Sequence, residues 1–147
     1  MKDSIRFYST SVSPEASLGE VAGLLRKYGA QRFEQVWEGG RTVAVRFNLP
    51  VPSAELGFMA ILLKPQTHVL AAKLKAQHRI TDLDQVERVA WRQLKGVLEG
   101  ILIAVDTGMF TVPEIFLGMA ETGTGQTLWE AFMEHPDILL LSPGGAR

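Results

Sequence analysis

The chain contains no cysteine, which excludes disulfides, thiol nucleophiles and thiolate-ligated zinc and fits a reducing compartment. Long apolar runs are missing too. The run at the centre of the most hydrophobic segment, Gly100 to Val105, is bounded by Glu99 and Asp106 and is far too short to span a bilayer. The opening residues MKDSIRFYST carry no apolar signal region. Together these features predict a cytoplasmic protein with no membrane contact. The histidines are His68, His78 and His135, with no pair at ligand spacing on one element, so neither a metal nor a cofactor is expected. His78 near Asp82 and Asp84 is the nearest approach to an acid/base cluster, and a loop with a cap residue explains it better. The glycine-rich ETGTGQT at 121–127 lacks the lysine and spacing of a phosphate-binding loop and reads as a turn before a helix. No catalytic residue is assigned, and the expectation leans against an enzyme.

What the chain does have is enough length, 147 residues, to bury a hydrophobic core. The proline-containing stretch at 49–53 and the loop at 78–84 are too short to separate independent units. The expectation is one α+β domain with a sheet-forming half at 1–64, a helical half at 65–136 and a tail at 137–147. Its net charge is only −1, but residues 1–95 hold 14 basic and 9 acidic residues, whereas 96–147 hold 1 and 7. That asymmetry points either to two solvated faces, to head-to-tail subunit contacts, or to a basic surface that meets nucleic acid.

Alternating β-branched and aromatic residues predict a first strand from Ile5 to Val12. Ser17 and Glu20 form a capping-box pattern for a helix that Gly29 stops. Arg32 to Glu38 and Arg41 to Leu49 flank Gly39-Gly40 as a hairpin, with Val43, Val45, Phe47 and Leu49 on its buried face. Leu56 to Leu63 completes a four-stranded, mainly antiparallel sheet. Helices follow over Thr67 to Gln77, Asp84 to about Gly108, Val112 to about Ala120 behind a Thr111–Glu114 capping box, and from Leu128 to an end at His135-Pro136. The apolar residues of the long helix cover most of its circumference, which predicts burial on nearly every side. In the tail, Ile138 to Leu141 are expected as an edge strand.

Three surfaces carry candidate roles. The open sheet face would present Arg6, Tyr8, Arg32 and Arg46, and the long helix adds Arg88, Arg92 and Lys95 beside Trp91. Cations interleaved with aromatics suit single-stranded nucleic acid, where phosphate contacts and base stacking act together. Solvated, salt-bridged side chains explain the same residues. Gly96, Gly100, Ala104 and Gly108 recur every four residues, and helical glycine costs about 1 kcal/mol relative to alanine. They mark close packing inside the chain or a homo-oligomer seam between two such helices. The acidic C-terminal segment, with Glu121, Trp129, Glu130 and Glu134, would serve a protein partner instead.

The segments LLRKYGA, VAVRF and QVERVAWRQLKGVLEGILIAVDTGM, with Ile115–Leu117 and Thr127–Phe132, resemble a family of small uncharacterised proteins of tailed phages and prophages. The match centres on an R-V-A-W-R-x-L-K helix, here Arg88, Val89, Ala90, Trp91, Arg92, Leu94 and Lys95. Gly96 and Gly100 depart from the bulkier or more polar residues expected there. The resemblance implies a phage or mobile-element accessory role in the host cytoplasm and transfers no residue roles. The leading expectation is a non-enzymatic accessory protein that binds single-stranded nucleic acid; the alternative is an adaptor or inhibitor of a host or phage protein.

Overall fold

The computed structural model describes residues 4–52, 55 and 57–135. The chain is α+β, with the order α1 (Pro14–Lys27), β1 (Phe33–Glu38), β2 (Arg41–Pro50), β3 (Phe58–Leu63), α2 (His68–His78), α3 (Leu83–Asp106), α4 (Val112–Phe116), a 3₁₀ turn (Leu117–Met119) and α5 (Leu128–Phe132). The sheet has three antiparallel strands in the order β1-β2-β3, not four. The expected tail strand at 138–141 lies outside the described residues. No helix among those described is long and apolar enough to cross a membrane.

The missing strand is the first one expected. Ile5 to Tyr8 instead make tight turns, with Phe7 at a φ of 65° and backbone bonds from Tyr8 N to Ile5 O and from Thr10 N to Phe7 O. This segment runs as a strap over α3. Gln85 Nε2 donates to the carbonyls of Tyr8 and Thr10, and Gln93 Nε2 donates to that of Arg6, each at 2.9 Å. Glutamine amides thus satisfy the backbone groups that a neighbouring strand would otherwise have met.

Helix α1 begins a turn earlier than expected. Ser13 Oγ accepts from Ala16 N and Pro14 occupies the first turn, where its missing N–H is harmless. Ser17 is therefore buried in the helix body, its hydroxyl without a partner among the described residues, and Glu20 reaches across to α3 rather than closing a capping box. The stop at Gly29 holds. Its φ is 97°, and a Cβ there would press within 3.1 Å of Pro50.

Gly39 and Gly40, at φ 58° and 78°, make the two-residue hairpin turn. Val45, Phe47 and Leu49 line the buried face of β2, but Val43 leaves the row. Val36 pairs with Ala44 while Trp37 pairs with Thr42, so Val43 sits in a bulge without an opposite residue.

The main core joins the inner sheet face (Val45, Phe47, Leu49, Ile61, Leu63) to Leu18, Val21 and Leu25 of α1, Trp91, Leu98 and Leu102 of α3, and Val112 and Phe116 of α4. Phe116 meets Phe47 edge-on at 6.1 Å between centroids. A second, smaller core on the far side of α3 gathers Leu74, Val86 and Val89 with Ile5, Leu70 and Ile80. The first half of α3 is covered from both sides. Past Gly96 only one side is covered, leaving Val97 and Ile103 about half exposed, so the long helix is amphipathic rather than buried all round. Asp82 caps its start, its side chain accepting from Asp84 N. Helix α4 is shorter than expected and passes into the 3₁₀ turn, although its Thr111–Glu114 capping box forms as expected.

Candidate binding surfaces

The outer face of the sheet carries Arg32 and Arg46, but its charge is balanced. Arg46 Nε lies 3.1 Å from both carboxylate oxygens of Glu121, and Arg32 meets Glu34 at 3.5 Å. Asn48 Oδ1 accepts from Gln31 N and Arg32 N and so serves the backbone. These groups rim a shallow depression of about 450 Å³ with Phe58 and Thr122. Arg6 and Tyr8 are not part of it, because the strap lies on α3.

The cations of α3 are also matched. Arg88 donates to Gln85 Oε1 at 2.7 Å and stands 3.7 Å from Asp82. Arg92 bonds Glu20 at 2.8 Å with its side chain only 14% exposed, and Lys95 lies between Glu99 and Glu20. Trp91 is buried in the core and cannot stack on a base. Arg41, which sequence reasoning left out, bonds Asp84 at 2.8 Å and Glu87 at 2.9 Å. Those two carboxylates raise its pKa above the ordinary arginine value.

A second set of cations lies on α2 and the strap. Lys73, Lys75 and Arg79 are exposed, and among the described residues neither they nor Arg6 joins an ion pair. Arg79 follows the last turn of α2, its N–H donating to the carbonyl of Lys75 at 3.1 Å. Arg79 ends the helix in the left-handed conformation, φ 56°. Beside it the Tyr8 ring stacks on His78, with centroids 3.8 Å apart and planes within 5°, and Ser4 Oγ lies 3.4 Å from His78 Nε2. His78 is thus engaged by the strap, while Asp82 and Asp84 turn to Arg88 and Arg41, so no acid/base cluster forms. The signal for this surface was present in the sequence: from Leu56 to Thr81 there is no acidic residue, against Lys64, Lys73, Lys75 and Arg79. Among the described residues only Lys64 of that run is paired, with Glu130.

The C-terminal acids are spent inside the fold. Glu121 holds Arg46, and Glu134 accepts from Gln126 at 3.1 Å. Glu130 closes a capping box with Thr127 and bonds Lys64 at 2.9 Å. The Thr127 N–H first, then Lys64, hold its carboxyl below the usual range. The apolar residues around these acids are left out. Trp129 is 50% exposed, with Leu117 and Met133 similarly open, and Trp129 borders a groove of about 740 Å³ that also takes in Val43, Leu62, Pro65 and Met119.

A Cβ built on Gly96 or Gly100 meets nothing within 4 Å, so neither glycine serves packing inside the described chain. Both open onto a depression of about 620 Å³ edged by Phe7, Gln93 and Val97. Ala104 is half-buried further along. Gly108 lies beyond the helix end at φ 79° and acts as its stop rather than as part of a seam. Among the described residues no group of three or more His, Asp or Glu is placed to hold a metal ion. Compared with protein-family models, curated proteins and solved structures, the chain matches none.

Proposed function

We propose that the protein is a non-enzymatic accessory protein that binds single-stranded nucleic acid, and that the binding surface is the α2–strap face rather than the sheet face. One observation carries this reading. The cations of the outer sheet face and of α3 have acidic partners, whereas Arg6, Lys73, Lys75 and Arg79 have none among the described residues. Cations without carboxylate partners are free to displace counterions from phosphates. Tyr8, partly exposed and backed by His78, offers a flat ring on which a base can stack. The resemblance to phage and prophage proteins supports a mobile-element accessory role.

The test is fluorescence anisotropy with labelled single-stranded DNA and RNA across a salt series. Three to four phosphate contacts give a slope of log K against log salt of about −2 to −3. Absence of saturable binding at low salt sinks the reading.

A second reading, a protein-interaction module, rests on the exposed Trp129 beside Leu117 and Met133. Large side chains of this kind anchor interfaces. It requires that a captured host or phage protein be lost in Trp129→Ala while polynucleotide affinity stays unchanged.

A further inference from the structure

The two edges of the sheet end differently. At β3 the edge is closed: Glu121 N donates to Ala60 O at 3.0 Å, and Ala120 bridges to Ile61. At β1 nothing pairs on the outer side among the described residues. Glu38 and Arg41 close the two-residue turn, so the even-numbered residues of β1 bond across to β2, and the N–H and C=O groups of Phe33, Gln35 and Trp37 point outward. The same alternation on the other side of the sheet leaves Ala60 facing Glu121. An open edge of this kind is a template for another strand. It also carries Trp37, 72% exposed, whose Nε1 donates to Gln35 Oε1 at 3.2 Å, while Thr42 Oγ1 donates to the same oxygen. The indole is therefore held in place at the edge.

We propose that this edge receives the β1 edge of a second copy of the chain, antiparallel about a two-fold axis through Gln35, joining two three-stranded sheets into one of six strands. The register follows from charge and shape. Centred on Gln35, Arg32 stands opposite Glu38 of the second copy and Phe33 opposite Trp37, each pair occurring twice by symmetry. Glu34 falls opposite Val36. Sliding the centre by one residue toward Val36 sets Glu34 against Glu38, and toward Glu34 sets Glu34 against itself. Like charges directly opposed are unfavourable, whereas opposite charges and aromatic pairs are favourable. Arg32 is available for the exchange, because its present bond to Glu34 is a 3.5 Å contact between exposed side chains and such pairs contribute little.

The test measures solution mass of the full chain and adds one introduced cysteine, which is unambiguous because the chain has none of its own. Opposed hydrogen-bonded residues stand about 5.5 Å apart at Cα, within disulfide reach. Gln35→Cys is therefore expected to form a covalent dimer on mild oxidation, and Gly23→Cys on exposed α1 is the control that does not. In sedimentation, Glu38→Arg is expected to weaken self-association about tenfold, and Arg32→Glu combined with Glu38→Arg to restore it. A wild-type chain that sediments at 16.2 kDa at every concentration overturns the proposal. So does Gln35→Cys cross-linking no faster than the control. A double variant that keeps its native circular dichroism but stays as weak as Glu38→Arg overturns the register.

Discussion

The outer sheet face carries Arg32 and Arg46 and the α2 face carries Lys73, Lys75 and Arg79, and the two differ in what the fold brings to them. Arg46 lies in the chain half that is rich in basic residues, yet Glu121, 75 residues later, arrives at 3.1 Å because the segment after α4 pairs with the edge of β3. Among the described residues the α2 face receives no such segment. Where the strap meets α2 it brings Tyr8, stacked on His78, rather than a carboxylate. A lopsided charge distribution along a chain is therefore a poor guide to a charged surface until it is known which halves meet. Here Glu121 of the acidic half neutralises Arg46, and among the described residues no acid of that half pairs with a cation of α2.

The largest way to disturb this comparison is to unseat the acidic segment. Phe116 is fully buried against Phe47, and Phe116→Ala is expected to cost about 3–5 kcal/mol in urea denaturation. A loss under about 1 kcal/mol would mean that α4 does not fix the segment that follows it. On the other side of the comparison, Lys75→Glu combined with Arg79→Glu should weaken oligonucleotide binding at least about tenfold and flatten the salt slope by about 1.4, two phosphate contacts at ~0.7 each. Glu121→Gln sharpens the contrast by releasing Arg46. The expected effect is a gain in polyanion affinity of about two- to threefold, consistent with an ion pair that contributes under ~1 kcal/mol, read in the same titration. Thr127→Ala removes the α5 cap and should cost about 1 kcal/mol in thermal melts.

The acid dependence of that cap follows from its carboxylate. The pKa of Glu130 is lowered in the folded chain, so its contribution is fully present above the ordinary carboxylate range and is lost as pH falls through the depressed value. Stability measured across acid pH should therefore decline less steeply in Glu130→Gln than in the wild type. Parallel declines would remove Glu130 from the account.

Local chemistry was legible in the sequence where it needed no distant partner. The Gly39-Gly40 turn, the Thr111–Glu114 box and the stop at Gly29 each depend on residues a few positions apart, and each stands as read. The strap shows the opposite case. Alternation in IRFYSTSV is compatible with a strand, but a strand needs a neighbour to bond, and α3 offered glutamine side chains instead. Ser13-Pro14 outcompeted Ser17 for the start of α1 because proline fits the first turn. Val43 departs from the alternation because its bulge is a property of the pairing with β1 and not of β2 alone. For the candidate site, the acid-free run from Leu56 to Thr81 was readable, whereas the neutralisation of Arg46 and Arg92 by Glu121 and Glu20 depended on tertiary contacts.

The most direct test of the central claim is a parallel anisotropy titration of wild type, Arg46→Glu and the Lys75→Glu, Arg79→Glu double variant on one labelled single-stranded oligonucleotide, near physiological salt. Arg46→Glu is expected to bind as wild type and the double variant to lose at least about tenfold. Loss in Arg46→Glu with the α2 variant unchanged would place binding on the sheet face and contradict it.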